Sequence, residues 1–175
     1  MIANSQRCEC DRYLLCPGSL IVNGAPPDSS SGAEVSFFGA ATADNATLII
    51  NGGTNGGPGG TLTFWLGSLG GTARVELFGN GTLDLYLGSP AGISIGSLAG
   101  DGIVLLGSAA PSLTIGTNNN TTVFSGQIQG NGSVVKTGSG TLTLTGANSY
   151  TGVTSVAAGF LKVSNPNGSA QAAGR

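Results

Sequence analysis

From about residue 34 onward, the chain consists of short segments in which apolar and polar residues alternate, and Gly, Asn or Ser bounds each segment. Leu62, Phe64 and Leu66 show this pattern, and so do Leu142 and Leu144. A period of two over a few residues is typical of a strand with one buried face. The alternation therefore predicts an all-β fold with many tight corners.

The composition excludes the main alternatives to a β fold. Glycine accounts for 32 of the 175 residues, and each glycine in a helix costs about 1 kcal/mol relative to alanine, which excludes a helical bundle. Collagen needs glycine at every third position, and that period is absent. Disorder requires low hydrophobicity or high net charge, whereas 39% of the residues are hydrophobic and the net charge is −2. With so little positive charge we expect no nucleic-acid partner.

The segments also recur at long range, with an offset of 27 residues in the first half and of 30 residues between 96–102 and 126–132 in the second. Such a period, built from short strands, indicates a solenoid. One turn of this length holds about three strands with their corners, which predicts a parallel β-helix of roughly four to five coils. The recurring pairs are 37–38 with 64–65, 46–50 with 73–77, 96–102 with 126–132, and 124–126 with 150–152.

One local signal favours a different architecture. Gly79-Asn80-Gly81 between two alternating segments is typical of a β-hairpin turn. A hairpin there makes residues 73–87 antiparallel and the chain an antiparallel β-sandwich. The long-range repeats favour the solenoid instead, because they carry equivalent strands forward along the chain.

The ends of the chain differ from its body. Residues 26–32 are rich in Pro and Ser and are typical of a linker. We predict that residues 1–33 form a poorly ordered leader, residues 34–165 the β-helix repeat domain, and residues 166–175 a truncated tail. No apolar run approaches the roughly 20 residues of a transmembrane helix, so we expect no membrane insertion by this segment.

The residue types needed for most catalytic and metal sites are scarce. The sequence contains no histidine, which removes the usual general base and the imidazole ligands of metals. Cys8, Cys10 and Cys16 are too few for a four-cysteine zinc site. The glycine-rich run 52–60 has neither Asp nor a Gly-Lys-Ser/Thr ending, and we interpret it as a turn. We predict no catalytic residue, no metal and no cofactor.

One strip of side chains supports a more specific hypothesis. If Leu62, Val75 and Leu83 face inward, six other residues of the region face outward, and exposed aromatic rings among them can stack on sugar rings. The alternative is that these side chains pack across neighbouring strands and stiffen the surface. The six outward residues are Trp65, Arg74, Glu76, Phe78, Asp84 and Tyr86.

Glu76 and Asp84 are the two acids to weigh as a glycosidase pair, which needs carboxyl groups about 5–9.5 Å apart. Consecutive strands of a β-helix lie on different faces, which separates the two acids. No basic cluster supports a lyase. We therefore expect no enzymatic activity, with a carbohydrate-active β-helix (a polysaccharide lyase or glycoside hydrolase) or a carbohydrate-binding module as the alternative.

The segment from Gly132 to Val163 contains a series of closely spaced motifs. It begins with a lysine, Lys136, and continues with Gly-x-Gly-Thr-Leu-x-Leu at 138–144. Gly-x-Asn-x-Tyr-x-Gly-x-Thr-x-Val follows at 146–156, and Gly-x-Leu-x-Val at 159–163. With these motifs the segment resembles the autotransporter-associated β-strand repeat, and the resemblance covers about 32 residues and is specific.

This resemblance implies the passenger region of a bacterial autotransporter, which is a right-handed β-helix at the cell surface. It implies no catalytic residues, because the motif is structural, and it implies a membrane barrel elsewhere in the full-length protein. We expect a structural or adhesive role, extracellular or at the outer membrane, with surface glycans or the surfaces of host or other cells as partners. The alternation and the motif together predict five buried residues: Leu142, Leu144, Val156, Leu161 and Val163.

Overall fold

The computed structural model describes residues 7–10, 18–65, 67–85, 92–107 and 109–164. Apart from one 3₁₀ turn, the regular structure in these ranges is β-strand, and no helix in them is long and apolar enough to span a membrane. The strands in chain order are β1 (Arg7–Cys10), β2 (Ser19–Val22), β3 (Glu34–Phe37), β4 (Thr47–Ile50), β5 (Thr61–Phe64), β6 (Arg74–Leu77), β7 (Thr82–Asp84), β8 (Ile93–Ile95), β9 (Ser97–Gly100), β10 (Ile103–Leu106), β11 (Ser112–Ile115), β12 (Thr122–Phe124), β13 (Gln127–Gly130), β14 (Ser133–Lys136), β15 (Thr141–Leu144), β16 (Thr154–Val156) and β17 (Phe160–Val163).

The strands form three parallel sheets that run along a solenoid. Sheet I contains β1, β3, β5, β7, β10 and β13, and sheet II contains β2, β4, β6, β9, β12, β15 and β17. Sheet III contains β8, β11, β14 and β16. Each described strand pairs in parallel with a strand of an adjacent coil, and the strands inside each sheet pair on both sides, which confirms the predicted parallel solenoid. The alternative sandwich is wrong, because β6 and β7 on either side of Asn80 lie in different sheets.

The number of coils agrees with the sequence. Six strands of sheet II, from β4 to β17, follow residue 34, and five turns of the chain separate the first from the last. The 27-residue offset is confirmed in register, because Phe37 pairs with Phe64 and Leu48 pairs with Val75. The roughly four to five coils predicted from the repeats are therefore present.

The 30-residue offset predicted for the second half is wrong, because the coils become shorter along the chain. Ile103 pairs with Gln127, an offset of 24, and Leu142 pairs with Leu161, an offset of 19. Residues 96–102 contain a strand of sheet II, whereas residues 126–132 contain a strand of sheet I. The two segments resemble each other because each strand ends in a glycine with positive φ, of 97° and 107° respectively. The similarity of the two segments therefore reflects one type of glycine corner, which ends a strand of sheet II in one case and a strand of sheet I in the other.

The shorter echo between residues 124–126 and 150–152 is also not a stacked pair. Phe124 pairs with Gly100 on one side and with Leu144 on the other. The backbone N–H of Thr151 instead donates to the carbonyl oxygen of Gly130, at 2.9 Å. Tyr150 and its neighbours therefore lie over β13 rather than over β12.

The core is a single column of inward-facing apolar side chains. Leu62, Val75 and Leu83 are fully buried, as predicted. Phe37 and Phe64 stack inside the column with ring centroids 4.9 Å apart. Burial of each such side chain stabilises the fold by roughly 1.5–3 kcal/mol, and the stacked rings add to that.

The last described coil is less buried than predicted. Leu142 and Leu144 are buried and Leu161 packs against the core, but Val156 is 46% exposed and Val163 is 38% exposed. Their predicted burial is wrong. Both occupy inward register positions, but β16 and β17 are the last strands of their sheets, so no described strand covers them.

The stacking of strands extends to the N-terminal side of residue 34. In the expected leader, β1 pairs with β3 and β2 pairs with β4. Cys8 and Cys10 occupy register positions beside Val35 and Phe37. The rest of that leader before residue 18, which includes Cys16, and the expected tail lie outside the described residues.

Candidate functional site

The aromatic residues of the outward strip include a stacked pair. Trp65 directly follows β5 and stacks on Phe38, one coil earlier, with ring centroids 5.4 Å apart and an interplanar angle of 13°. Both rings are half-buried, and the indole Nε1 of Trp65 is buried without a hydrogen-bond partner. The pair therefore packs across neighbouring strands, as the alternative interpretation of the strip predicts.

The charged residues of the strip are partly neutralised by each other. Arg74 and Glu76 project from the outer face of β6, and the Nε of Arg74 donates to Oε1 of Glu76. The arginine side chain is 41% exposed, so this ion pair contributes only about 0.2–1 kcal/mol. Phe78, at the corner after β6, is 40% exposed, and Tyr86 lies outside the described residues.

The two acids weighed as a glycosidase pair belong to different sheets. Glu76 is in β6 of sheet II, and Asp84 is in β7 of sheet I. The expected placement of these consecutive strands on different faces is confirmed. Within the described ranges, no group of three or more His, Cys, Asp or Glu side chains lies together where it could hold a metal ion.

The glycine-rich run 52–60 forms a loop that packs against backbone on both sides. The side-chain oxygen of Asn80, one coil later, accepts the N–H of Gly53 at 2.8 Å, and its Nδ2 donates to the carbonyl of Gly57 at 2.9 Å. A Cβ atom at Gly57 would collide with the carbonyl oxygen of Ala25, one coil earlier. The glycines therefore let three coils approach closely at this corner.

Buried polar side chains cluster in the last coils, and sequence reasoning missed them. Asn148 is 1% exposed; its Oδ1 accepts the backbone N–H of Ile128 at 2.9 Å, and its Nδ2 donates to the carbonyl of Gly146 at 3.1 Å. Ile128 belongs to β13, the last described strand of sheet I. The Asn148 amide therefore supplies a bond that a further strand would otherwise make.

Tyr150 is buried two residues later. Its hydroxyl and Oγ1 of Thr154 are 2.6 Å apart, and both side chains are at most 2% exposed. Burial raises the pKa of Tyr150, and the hydrogen bond with Thr154 offsets part of that rise. The pair links the loop over β13 to the first residue of β16.

Lys136, the last residue of β14, is the most unusual side chain of this region because it is 1% exposed. Its Nζ donates to the carbonyl oxygens of Thr137, of Gly138 at 3.0 Å and of Ala158 at 3.4 Å. Burial lowers the pKa of Lys136. The sequence did contain a signal, because Lys136 lies two residues after the inward-facing Val134 and so shares its face of the strand.

These buried side chains lie within a segment that is recognisable in other proteins. Residues 134–163 match the family model of the passenger-associated-transport-repeat. The resemblance to an autotransporter passenger repeat, predicted from the motif, is confirmed over this segment. No curated protein and no solved structure shows a significant match to the chain.

The passenger repeat, residues 134–163, spans one coil and part of the next. Its first two strands, β14 and β15, pair with its last two, β16 and β17, respectively. The glycines of its motif allow these two levels to approach, since a Cβ at Gly159 would collide with the carbonyl oxygen of Gly138. The motif residues described here therefore serve the stacking of coils.

Proposed function

We propose that the chain is a structural and adhesive segment of an autotransporter passenger and that it has no catalytic activity. A passenger repeat within a parallel β-solenoid fits an autotransporter passenger segment, and this combination carries the proposal. The repeat family suggests a location at the cell surface or outside the cell. Surface glycans or the surfaces of host or other cells are the proposed partners.

The structural part of the role follows from the hydrogen bonding between coils. The seven strands of sheet II stack at about 4.8 Å per step, so this sheet alone extends over roughly 29 Å. Backbone and corner side chains both bond from coil to coil, as Asn51 Nδ2 does to Oδ1 of Asn23 at 2.8 Å. Such a column is stiff along its axis, which suits a segment that holds other parts of a protein away from a cell.

The adhesive part of the role is assigned to the outer surface of sheet II, called the sheet II face. It presents exposed apolar side chains, including Ile21 at 56% and Val123 at 54%, among polar ones with few charges. Mixed surfaces of this kind bind by contact area and hydrogen bonds rather than by charge. One row of this face, read across the strands, is Ile21, Ile49, Glu76, Ala99, Val123, Thr143 and Lys162.

The test measures binding of the purified chain to arrayed surface glycans and to fixed bacterial and animal cells. Val123→Lys adds a charge in the middle of the sheet II face, and Thr114→Lys adds the same charge on the outer face of sheet III. We expect Val123→Lys to weaken binding at least about fivefold and Thr114→Lys to leave it unchanged. Equal effects of the two variants, or no binding to any probe, would overturn the adhesive role.

The absence of catalysis has its own test. The chain is incubated with the surface glycans of the binding test, and new reducing ends and unsaturated uronic acids are measured. We expect no release above that of a heat-denatured sample. Turnover that disappears in Glu76→Gln or Asp84→Asn would show that the segment is an enzyme.

A further inference from the structure

Lys136 is a buried ammonium group whose hydrogen-bond acceptors are backbone carbonyls. No Asp or Glu follows Asp101 in the sequence, and among the described residues no carboxylate forms an ion pair with Lys136. A buried charge without an opposite charge is costly unless its hydrogen bonds are satisfied. The carbonyls of Thr137, Gly138 and Ala158 provide those bonds, so the position of these three oxygens determines whether the lysine can stay inside.

The acceptors come from two successive coils at one corner. This corner joins sheet III to sheet II; residues 137–138 form it in one coil and residues 157–159 form it in the next. A Cβ at Gly159 would lie 2.9 Å from Nζ of Lys136, and a Cβ at Gly116, one coil earlier, would lie 3.2 Å from it. The ammonium therefore lies among three stacked corners, in space that glycines leave open.

Lys136 also holds the later corner through its backbone. Its carbonyl oxygen accepts the N–H of Ala157 at 2.7 Å and the N–H of Ala158 at 3.3 Å. The same residue thus contacts the corner at 157–159 through its backbone oxygen and through its side-chain nitrogen. Within the described part of the chain, no other side chain forms a hydrogen bond to that corner.

The coil that this corner belongs to has few other restraints. Its strands, β16 and β17, are each paired on one side by a described strand, and Val156, Phe160 and Val163 are all exposed. Edge strands with little buried apolar surface open at lower free energy than central ones. A single contact at their corner therefore has a large influence on whether this coil stays closed.

We propose that Lys136 is a clamp that keeps the last described coil, residues 154–164, docked on the coil before it. When the contact between the ammonium and the corner at 157–159 is lost, this coil opens as a unit while the remaining coils stay folded. The clamp is a conformational device: closure buries the ammonium, and opening exposes both the ammonium and the edges of β14 and β15.

The first experiment uses the unaltered chain, because Lys136 and Lys162 are its only lysines. Lys162 is exposed on β17 and serves as the internal control. With an amine-reactive acetylating reagent, we expect Lys136 to react at least about 100-fold more slowly than Lys162. We also expect its rate to follow the opening rate of the last coil, as measured by hydrogen exchange of the amides of Ala157 and Ser164.

Two results of this experiment would overturn the proposal. Reaction of Lys136 within about threefold of the rate of Lys162 means that the ammonium is not enclosed. Reaction only at the rate at which amides of β6 exchange means that the lysine is exposed by global unfolding and that the last coil does not open alone. Neither outcome depends on a variant that has to fold.

The second experiment replaces the lysine. Lys136→Met keeps the length of the side chain but removes the ammonium, and Lys162→Met removes an equal charge from the outer surface of the last described coil. In Lys136→Met we expect the protection of the Ala157 and Ser164 amides to fall at least about tenfold, with the amides of β6 unchanged. Lys162→Met should leave all of them unchanged. A loss spread equally over all strands, or no loss in Lys136→Met, contradicts a clamp.

Discussion

The side-chain oxygen of Asn148 accepts the backbone N–H of Ile128 at 2.9 Å, and the N–H of Ser149 donates to the carbonyl of Ile128, also at 2.9 Å. Both backbone groups of Ile128 are thus bonded on the far side of β13 without a further strand. Side-chain and backbone groups of the loop at 148–151 thus take the place of a further strand at this edge of sheet I.

Replacement of Asn148 tests this way of ending a sheet. Asn148→Ala leaves the buried N–H of Ile128 without an acceptor, and we expect a loss of about 1–3 kcal/mol in the free energy of unfolding. Asn131→Ala, at an exposed corner of the previous coil, is the control and should change stability by less than about 0.5 kcal/mol. Urea unfolding followed by circular dichroism measures both, and equal losses would contradict the assigned role.

Tyr150 predicts a dependence of stability on alkaline pH. Because burial raises its pKa in the folded chain above 10.0, the stabilisation it provides is complete below about pH 10. That stabilisation is lost as the pH rises further, since the unfolded chain ionises first. In Tyr150→Phe the hydroxyl is absent, so we expect the stability difference between the two proteins to shrink above about pH 10. Parallel stability curves up to pH 11 would show that Tyr150 does not titrate differently on folding.

Lys136 predicts that stability rises with pH, which is the opposite of the effect expected for Tyr150. Because burial lowers its pKa in the folded chain below 10.5, the unfolded chain binds more protons between the lowered pKa and 10.5. The wild-type chain should therefore gain stability relative to Lys136→Met as the pH rises through that window. Tyr150 is present in both proteins and cancels in the comparison. Lys162→Met is the control, and a pH-dependent difference of the same size in that variant would contradict the assignment.

Two neighbouring glycines in the run 52–60 allow the stability cost of a steric clash to be measured separately from the cost of a positive φ. Gly56 has φ of 82° but no atom near an added Cβ, so Gly56→Ala should cost about 1 kcal/mol. Gly57 has an ordinary φ of −70°, but its Cβ would collide with the carbonyl oxygen of Ala25. We expect Gly57→Ala to cost about 3 kcal/mol or more. Thermal unfolding of the two variants gives the order, and a larger loss at Gly56 would contradict close packing at this corner.

The sequence predicted the fold because the alternation of apolar residues carries both strand direction and coil length. Phe37 and Phe64 show it most clearly, since their 27-residue spacing equals the register of β3 on β5. The same reasoning failed for residues 96–102, because a similar glycine corner ends a strand of sheet II at Gly100 and a strand of sheet I at Gly130. Two segments have similar sequences when they form the same type of corner, even if the two corners follow strands of different sheets.

The buried polar residues could be predicted only in part. Periodicity places Lys136 and Val156 on the inward face, but it does not show whether a later coil covers them. Lys136 is enclosed because the corner at 157–159 lies over it, whereas Val156 has no described strand above it. The direction in which a side chain points is set by its own strand, whereas its burial also depends on the next coil along the axis.

Because the coils shorten along the chain, the two ends of the described solenoid differ in perimeter. An early coil has 27 residues between paired positions and the last has 19, so eight residues of the larger perimeter have no counterpart in the smaller one. Fibrils of stacked strands grow without limit because every rung is an identical template for the next. Among the described residues, the first and last coils differ in perimeter, so one is not an identical template for the other. We therefore expect this taper to disfavour the head-to-tail repetition on which fibril growth depends, although the coils use the same backbone pairing as a fibril.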